Sequence, residues 1–395
     1  MKVKKIDIVK YFLFIIVLFP FIQQRTLEEL PNFIQLGYKV MCLGCSTIIY
    51  LFILFSKKIN YNKYTILFIT YWIFSIFNTV FFHNYHDSLF LLQNAYNFIA
   101  LTLFLHKESK DNPKILIKSL STIYHCFILI NFVLFLLFPN GFYKPTLVPY
   151  HTGHLLGDDN ALIYVILPGI IITCFSSLYS KKKLSVLNVF EIIACMVMFL
   201  KLWTVTSIVC FLIFIILILL YRFTNLINIK TLSVVLISFI LLLFLGLNIE
   251  FIQKIIVNVL HKSITLSGRT IIWKQAFDFI RNSLFLGYGG YFKYGSFVLN
   301  GKLYPCHTTY LQILIDCGLI GFTIFCWIIV YLFKELKKYE KEKHAMFIGI
   351  GFTCILINYL FEYSQIHHLI IIMAIISNLK YYSLLDKEEK NENRG

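Results

Sequence analysis

Three short stretches in the second half of the chain carry residues that suit phosphate binding or acid–base catalysis. Arg269 stands in Ser267-Gly268-Arg269, and its guanidinium can bind two phosphate oxygens at once. Gly287-Tyr288-Gly289 could form an anion nest from successive N–H groups, although a plain turn is the simpler interpretation. His307 carries an imidazole, which could act as a general base or could merely form hydrogen bonds at an interface.

Carboxylates stand at two further places. Asp158, Asp159 and Asn160 directly precede an apolar run, where they could cap its helix or bind a sugar or a divalent ion. Asp316 lies about two turns inside a later apolar run, where a carboxylate is costly and predicts a partner or a polar cavity. Paired aspartates are common and no Cys or His spacing indicates a metal, so we predict no metal site.

The residues after Arg269 have the periodicity of an amphipathic helix. Ile272, Ala276, Phe279 and Ile280 share one helical face, and Lys274 and Arg281 lie elsewhere. This pattern predicts a helix at the membrane surface. Two interpretations remain open, namely an interfacial packing helix and a binding site for a lipid-linked anion.

The composition indicates an integral membrane protein that must position these residues with helices. Of the 395 residues, 58% are hydrophobic and 14% are charged, whereas a soluble domain carries about 25% charged residues. We therefore predict an all-α fold, a polytopic bundle of about 12 spans in one domain over residues 1–395. The predicted spans are 8–22, 34–55, 64–82, 88–105, 115–138, 161–179, 184–200, 203–221, 231–249, 308–333, 345–361 and 366–384.

Lysine and arginine predict the orientation of the bundle. Most of them fall in the termini and in alternate loops, such as 181–183 and 334–343, which places both termini in the cytoplasm. The short cytoplasmic loops and the lack of GxxxxGK[ST] exclude a nucleotide-binding domain. The loops 139–160 and 250–307 are then external and form the candidate active-site face. The second carries seven lysines and arginines against two carboxylates and is expected to contain short amphipathic helices.

The stretch from Gly268 to Gly321 resembles the signature of the O-antigen ligase/polymerase superfamily, which comprises Wzy-type polymerases and WaaL-type ligases. The resemblance lies in the order and spacing of Ser267-Gly268-Arg269 with Trp273, Gly287-x-Gly289, His307-x-x-Tyr310-Leu311-Gln312 and Gly318-Leu319-x-Gly321. Gly157-x-x-Asn160 is similar to an upstream motif of the same family.

The chain departs from the family at one point. The family often has a Ser-Arg pair in a middle transmembrane helix, where it is thought to help hold the donor pyrophosphate. The nearest match here is Thr206-Ser207-Ile208, which has no arginine. Lys201 precedes Ile208 by two helical turns and could supply that charge, or the contact could be absent.

The resemblance implies a metal-independent membrane glycosyltransferase whose donor is a polyprenyl-diphosphate-linked oligosaccharide. Arg269, helped by Lys274 or Lys201, would stabilise the leaving diphosphate, and His307 would accept the proton of the attacking hydroxyl. The other expected substrate-binding residues are Trp273, Tyr310, Gly287, Gly289, Asp158, Asp159 and Asn160.

We favour a polymerase of repeat units for a surface polysaccharide such as a capsule, exopolysaccharide or O-antigen. A ligase that transfers the glycan to another acceptor is one alternative, and a lipid-oligosaccharide flippase or solute transporter is another. Expected partners are the lipid-linked oligosaccharide, the bilayer, a chain-length regulator and a flippase, with no cofactor and no nucleic acid. The expected location is the bacterial cytoplasmic membrane, with the active site on its external face.

Overall fold

The structure is a computed structural model of the chain. It describes residues 5–22, 27, 29–56, 59–82, 85–145, 151–245, 268–290, 297–299, 302–363 and 367–383. Ser267, the first residue of the Ser267-Gly268-Arg269 motif, lies outside the described residues.

Helices account for most of the described residues. They are α1 Lys5–Leu18, α2 Asn32–Leu54, α3 Lys63–Phe82, α4 Tyr85–Asp111, α5 Pro113–Leu137, α6 Leu162–Lys181, α7 Val186–Leu202, α8 Val205–Phe223, α9 Ile229–Leu245, α10 Arg269–Asn282, α11 Thr309–Lys338, α12 Lys343–Phe361 and α13 His367–Ser377. Two short antiparallel hairpins accompany them, β1 Gly153–His154 with β2 Gly157–Asp158, and β3 Phe297–Leu299 with β4 Lys302–Tyr304. The all-α prediction is confirmed.

Each predicted span coincides with a helix, but the number of membrane crossings stays a prediction. Among the described residues, 7 helices are long and apolar enough to cross a bilayer: α2, the Leu89–Asp111 part of α4, α5, α6, α8, α11 and α12. The apolar stretches in α9 and α13 are shorter. A helix rises about 1.5 Å per residue, so about 20 residues are needed for hydrocarbon about 30 Å thick.

Helices α6 and α12 form the centre of the bundle, because nearly all of their residues are buried. They pack closely where Gly351 faces Ile171, since a Cβ at Gly351 would lie 2.4 Å from the Ile171 side chain. Small residues commonly allow such approaches between membrane helices. At the periphery, α2 and α8 expose large apolar side chains such as Leu36, Leu54 and Phe223, which suit contact with lipid.

The helix hairpins define two ends of the bundle. At one end α6 and α11 begin and α12 terminates, and we call this the site end. At the other, the lysine end, α6 and α11 terminate and α12 begins, with Lys181, Lys338 and Lys343. The chemistry-bearing residues named above fall mainly at the site end.

The predicted span 308–333 is wrong in one respect, because α11 is broken inside it. Gly318 has φ 58° and ψ −164°, which interrupts the helix near Asp316. A Cβ at Gly318 would lie 2.3 Å from the carbonyl oxygen of Phe285, so this position needs a residue without a side chain.

The segment that follows α10 fills the break in α11. Its main chain exchanges four hydrogen bonds with α11: Leu319 N to Leu284 O at 2.8 Å, Ile320 N to Phe285 O at 3.2 Å, Tyr288 N to Ile315 O at 2.8 Å and Gly289 N to Asp316 O at 2.9 Å. Interrupted backbone is tolerated inside a membrane protein only where other protein groups satisfy it. These bonds fix α10 against the first half of α11.

Candidate functional site

Arg269 is the first residue of α10, and the conformation of Gly268 before it sets the position of Arg269. Gly268 has φ 89°, and a Cβ there would lie 2.2 Å from the side chain of Leu299 on β3. Only glycine adopts this conformation without strain while the hairpin packs over it. The buried face of α10 sets the helix against the bundle. It contains Ile272, Ala276 and Ile280 of the predicted face together with Trp273, whereas Phe279 is only partly buried.

Arg269 forms a largely buried ion pair with Glu362, the residue that directly follows α12. Its Nη2 lies 2.5 Å from Oε1 of Glu362, and the two side chains are 16% and 7% exposed. Burial by itself raises the pKa of the Glu362 carboxyl, but the Arg269 guanidinium and His307 outweigh it and lower that pKa to about 2. Glu362 is therefore ionised at any physiological pH.

His307 and Tyr164 approach the second oxygen of the same carboxylate. His307 Nδ1 lies 3.9 Å from Oε2 of Glu362, and the Tyr164 hydroxyl donates to Oε2 at 3.4 Å. The first distance is longer than a hydrogen bond, as is common before substrate binds. Glu362 thus connects α10, α6 and the loop before α11 in one cluster, which we call the Arg–Glu–His cluster (Arg269, Glu362 and His307).

The segment around His307 is held by contacts on both sides. His307 has φ 56°, and the carbonyl before it, on Cys306, accepts a hydrogen bond from Trp273 Nε1 at 3.1 Å. After it, Thr308 Oγ1 donates to Tyr359 O at 3.2 Å, and Thr309 Oγ1 donates to Glu362 O at 3.1 Å. The imidazole stays 25% exposed, so a substrate can reach it.

Trp273 and Tyr310 support the site through hydrogen bonds to main-chain carbonyls. Trp273 is buried against Cys306, and the Tyr310 hydroxyl donates to Leu356 O in α12 at 2.9 Å. Their polar atoms are therefore engaged within the protein. Tyr310 contacts Leu356 near the end of α12, and His307 faces Glu362 just beyond that helix. The His-x-x-Tyr spacing therefore places His307 and Tyr310 along the last turns of α12.

The two predicted helper cations are exposed. Lys274 lies on the outward side of α10, and Lys201 lies in the last turn of α7, at the site end. Among the described residues, no ion pair joins either lysine to the Arg–Glu–His cluster. Their role in binding stays a prediction.

The glycine turn is used for packing. The N–H groups of Tyr288 and Gly289 donate to carbonyls of α11, and the N–H of Gly287 donates to Ser283 O at 3.1 Å. A Cβ at Gly287 would lie 2.5 Å from Ile315 O. These contacts favour the simple-turn interpretation over an anion nest.

The acidic loop before α6 is organised by its own side chains. Asp158 lies 3.3 Å from His151 Nδ1 and accepts from the N–H of Ala161, whereas both oxygens of Asp159 accept from the N–H of Thr152. The residue that caps α6 is Ala161, without a side-chain cap, so the predicted N-cap at 158–160 is wrong. Asn160 is partly exposed. Tyr164 follows in the first turn of α6 and joins this loop to Glu362.

Glu362 and Tyr164 are the site residues that the sequence analysis missed. Glu362 is 93 residues from Arg269 in the chain. The one available signal was its position, since it directly follows an apolar span at the end opposite the lysines. Among the described residues, no group of three His, Cys, Asp or Glu side chains could hold a metal ion.

Comparison with known proteins gives a family for the central part of the chain. Residues 189–326 match the model of the O-antigen ligase family. The resemblance inferred from the motifs is confirmed. The matched segment contains Arg269, His307 and the break at Gly318 but ends before Glu362. No curated protein and no solved structure matches the chain. This central segment is therefore similar to the O-antigen ligase family, and the surrounding apolar helices agree with a membrane protein.

Proposed function

We propose that the protein polymerises polyprenyl-diphosphate-linked oligosaccharide repeat units into a surface polysaccharide. The observation that carries this proposal is the Arg–Glu–His cluster, which combines a phosphate-binding guanidinium, an accessible imidazole and an ionised carboxylate between them. The site lies at the end of the bundle opposite Lys181 and Lys338, which supports an external active site in a bacterial cytoplasmic membrane with both termini inside.

Arg269 is assigned to the leaving group. Glu362 engages only one of its nitrogen atoms, which leaves further N–H donors for the diphosphate oxygens. As the bond between the anomeric carbon and the diphosphate oxygen breaks, its electron pair leaves with the diphosphate. A preorganised cation at that point is often the largest contribution to catalysis.

His307 is assigned to the acceptor. Glu362 faces its Nδ1, so the other ring nitrogen, Nε2, is available to take the proton of the attacking hydroxyl. The oxygen of that hydroxyl forms the new bond to the anomeric carbon. In this scheme Glu362 is a positioning residue, which holds Arg269 and orients the imidazole. No step in the scheme uses a metal ion.

The experiment compares three variants with the wild type, using lipid-linked repeat units extracted from a strain that lacks the protein. Arg269→Ala is expected to abolish transfer and weaken donor binding. Its matched control is Arg281→Ala, an exposed arginine of the same helix, which should behave as wild type. His307→Ala should lose about 10²–10⁴-fold in rate with near-normal donor binding.

Two results would contradict these assignments. Wild-type transfer by Arg269→Ala at matched expression would remove Arg269 from the site. Loss of donor binding in His307→Ala would make His307 a substrate-holding residue and move the search for the base to the aspartates. In the cell, we expect the enzyme to work with a flippase and a chain-length regulator.

The ligase alternative is supported by the name of the matched family. A ligase would use the same donor and the same leaving group. It differs only in the acceptor, which would be a molecule other than a polyprenyl-linked repeat unit.

A further inference from the structure

A groove on the surface of the bundle, at the lysine end, is not used by the mechanism above. It runs between α3 and α11, close to where α3 begins and α11 ends, and has a volume of about 500 Å³. Small-molecule sites have volumes of about 300–1,000 Å³, so the groove is large enough for a ligand. We call it the lysine groove, and its lining residues include Lys63, Ile66, Trp327, Val330, Tyr331 and Lys334.

Two lysines lie at one end of this groove. Lys63 is the first residue of α3, and Lys334 lies about one turn before the end of α11. Both are exposed, and among the described residues neither belongs to an ion pair. The neighbouring Lys337 and Lys338 differ, because each pairs with a glutamate, at 2.7 and 2.6 Å. The groove therefore presents two positive charges that no carboxylate of the described residues neutralises.

The rest of the lysine groove is apolar and open to the surface of the bundle. Ile66, Trp327 and Val330 line it, and their side chains are 54%, 62% and 50% exposed. Trp327 precedes Lys334 by seven residues, which is about 10 Å along the helix. Apolar side chains thus continue the groove from the lysines towards the middle of α11, a helix long and apolar enough to cross a bilayer.

The order of charged and apolar side chains favours an amphiphilic anion as the ligand. A soluble phosphate would contact only the two lysines, and a neutral hydrocarbon chain would leave their charges without a partner. A phospholipid with an anionic headgroup fits both parts, because its phosphate can lie between Lys63 and Lys334 while its acyl chains follow Ile66 and Val330. Basic pockets between membrane helices hold such headgroups, and tyrosine is enriched at headgroup level, where Tyr331 would lie.

We propose that the lysine groove binds an anionic glycerophospholipid of the surrounding bilayer, with the headgroup phosphate between Lys63 and Lys334. The bound lipid would connect α3 to the second half of α11. These two helices also meet at the break in α11, where Asn78 of α3 donates to Leu286 O at 2.6 Å in the segment that fills the break. The lipid would therefore stabilise the same helix pair from its other end. Its binding does not depend on the transferase reaction.

The test measures lipid binding by native mass spectrometry, which counts the lipids on each protein molecule. Delipidated protein in detergent is titrated with phosphatidylglycerol or with phosphatidylcholine that has the same acyl chains. Each lysine should contribute about fivefold, so the Kd of the first lipid to bind should be about 30-fold lower for phosphatidylglycerol. This ratio corresponds to about 2 kcal/mol at about 1.4 kcal/mol per tenfold. Added salt should reduce it.

Three variants complete the design. Lys63→Gln combined with Lys334→Gln should reduce the preference for phosphatidylglycerol to less than about threefold. The matched control combines Lys181→Gln with Lys183→Gln, which removes two exposed lysines from the same end of the bundle but outside the groove, and it should keep the wild-type preference. Trp327→Ala keeps both lysines but removes an apolar wall, so it should weaken the binding of both lipids several-fold. It decides the question if the double variant of the groove does not fold.

Four results would refute this site. An equal preference for phosphatidylglycerol in the groove variant and the control would assign the selectivity to the general charge of the lysine end. Unchanged Kd values in Trp327→Ala would place the lipid elsewhere. Glycerol phosphate that competes as well as the whole lipid would indicate a site for a soluble anion. A dimer whose formation excludes the lipid would make the groove an interface between two copies of the chain. None of these results bears on glycosyl transfer, which is measured separately.

Discussion

Replacing Glu362 by Gln tests whether one carboxylate organises the whole site. The substitution keeps the shape of the side chain and removes its charge, leaving the Arg269 guanidinium, 16% exposed, without its ionic partner. The ordinary pKa of this carboxyl is 4.5 and its pKa in the protein is about 2, a difference that corresponds to about 3 kcal/mol at 1.36 kcal/mol per pH unit. Removal of one partner of a buried ion pair typically costs about 3–5 kcal/mol, which agrees.

The assay is thermal unfolding of the purified protein in one detergent, combined with the transfer rate. Glu362→Gln should lower the midpoint of unfolding by about 4 °C and the rate by at least about tenfold. The matched control is Glu340→Gln at the lysine end, where the Lys337–Glu340 pair is surface-exposed and contributes less than about 1 kcal/mol.

A double-mutant cycle with Arg269→Gln distinguishes a structural role from a catalytic one. The double variant has no uncompensated charge, so its stability should recover towards wild type, and the coupling energy should be about 3 kcal/mol. Its transfer activity should stay lost, because the phosphate-binding group is gone. A coupling energy below about 0.5 kcal/mol would refute the buried pair, and recovery of activity would refute its catalytic assignment.

Three other predictions follow from the geometry. Arg269→Lys should transfer poorly at matched expression, because an ammonium cannot contact two phosphate oxygens in the manner of a guanidinium; near wild-type rates would contradict this. Gly287→Ala should reduce the yield of folded protein seen by size-exclusion chromatography, since its Cβ would meet Ile315 O at 2.5 Å, whereas Gly37→Ala has open space and should not. Reporter fusions after Lys182 and Lys338 should be cytoplasmic, and an external signal at either would overturn the proposed orientation.

The same ion pair predicts a simple dependence of stability on pH. Because the pKa of Glu362 is lowered, the stabilisation is fully present above the ordinary pKa of 4.5 and is lost as the pH falls towards about 2. The difference in unfolding midpoint between the wild type and Glu362→Gln should therefore be constant between about pH 6 and about pH 8 and should shrink below about pH 4. A difference that shrinks on the alkaline side would contradict the assignment.

The helices were predictable because one physical quantity, the hydrocarbon thickness, fixes the length of an apolar run. Arg269 and His307 could be selected from the sequence because their side chains suit phosphate binding and proton transfer and because they stand in short motifs that resemble those of a known family. The break at Gly318 was not, since a glycine in a membrane helix also serves close helix packing and nothing local distinguishes the two. The segment 284–289 that fills the break is defined only by tertiary contacts.

Glu362 illustrates what a single sequence leaves out. Its importance comes from Arg269 and His307, which reach it from two other segments of the chain, and no local pattern links them. Lys201 is the opposite case, a residue that the sequence suggested for the site. It lies at the predicted end of the bundle, but among the described residues it forms no ion pair with the Arg–Glu–His cluster. Residue type and periodicity gave the candidates, and only the fold decided which of them meet.

The most direct test of the central claim gives the purified protein only lipid-diphosphate repeat units, with a chelator and without ATP or nucleotide sugar. We predict a ladder of longer oligosaccharides that remain linked to the lipid, because the donor bond to diphosphate is already activated and cationic side chains meet the leaving group. A product that forms only when a second, non-polyprenyl acceptor is added would contradict the polymerase and favour the ligase. Transfer of substrate across a vesicle membrane with no new glycosidic bond under any condition would contradict the enzyme altogether.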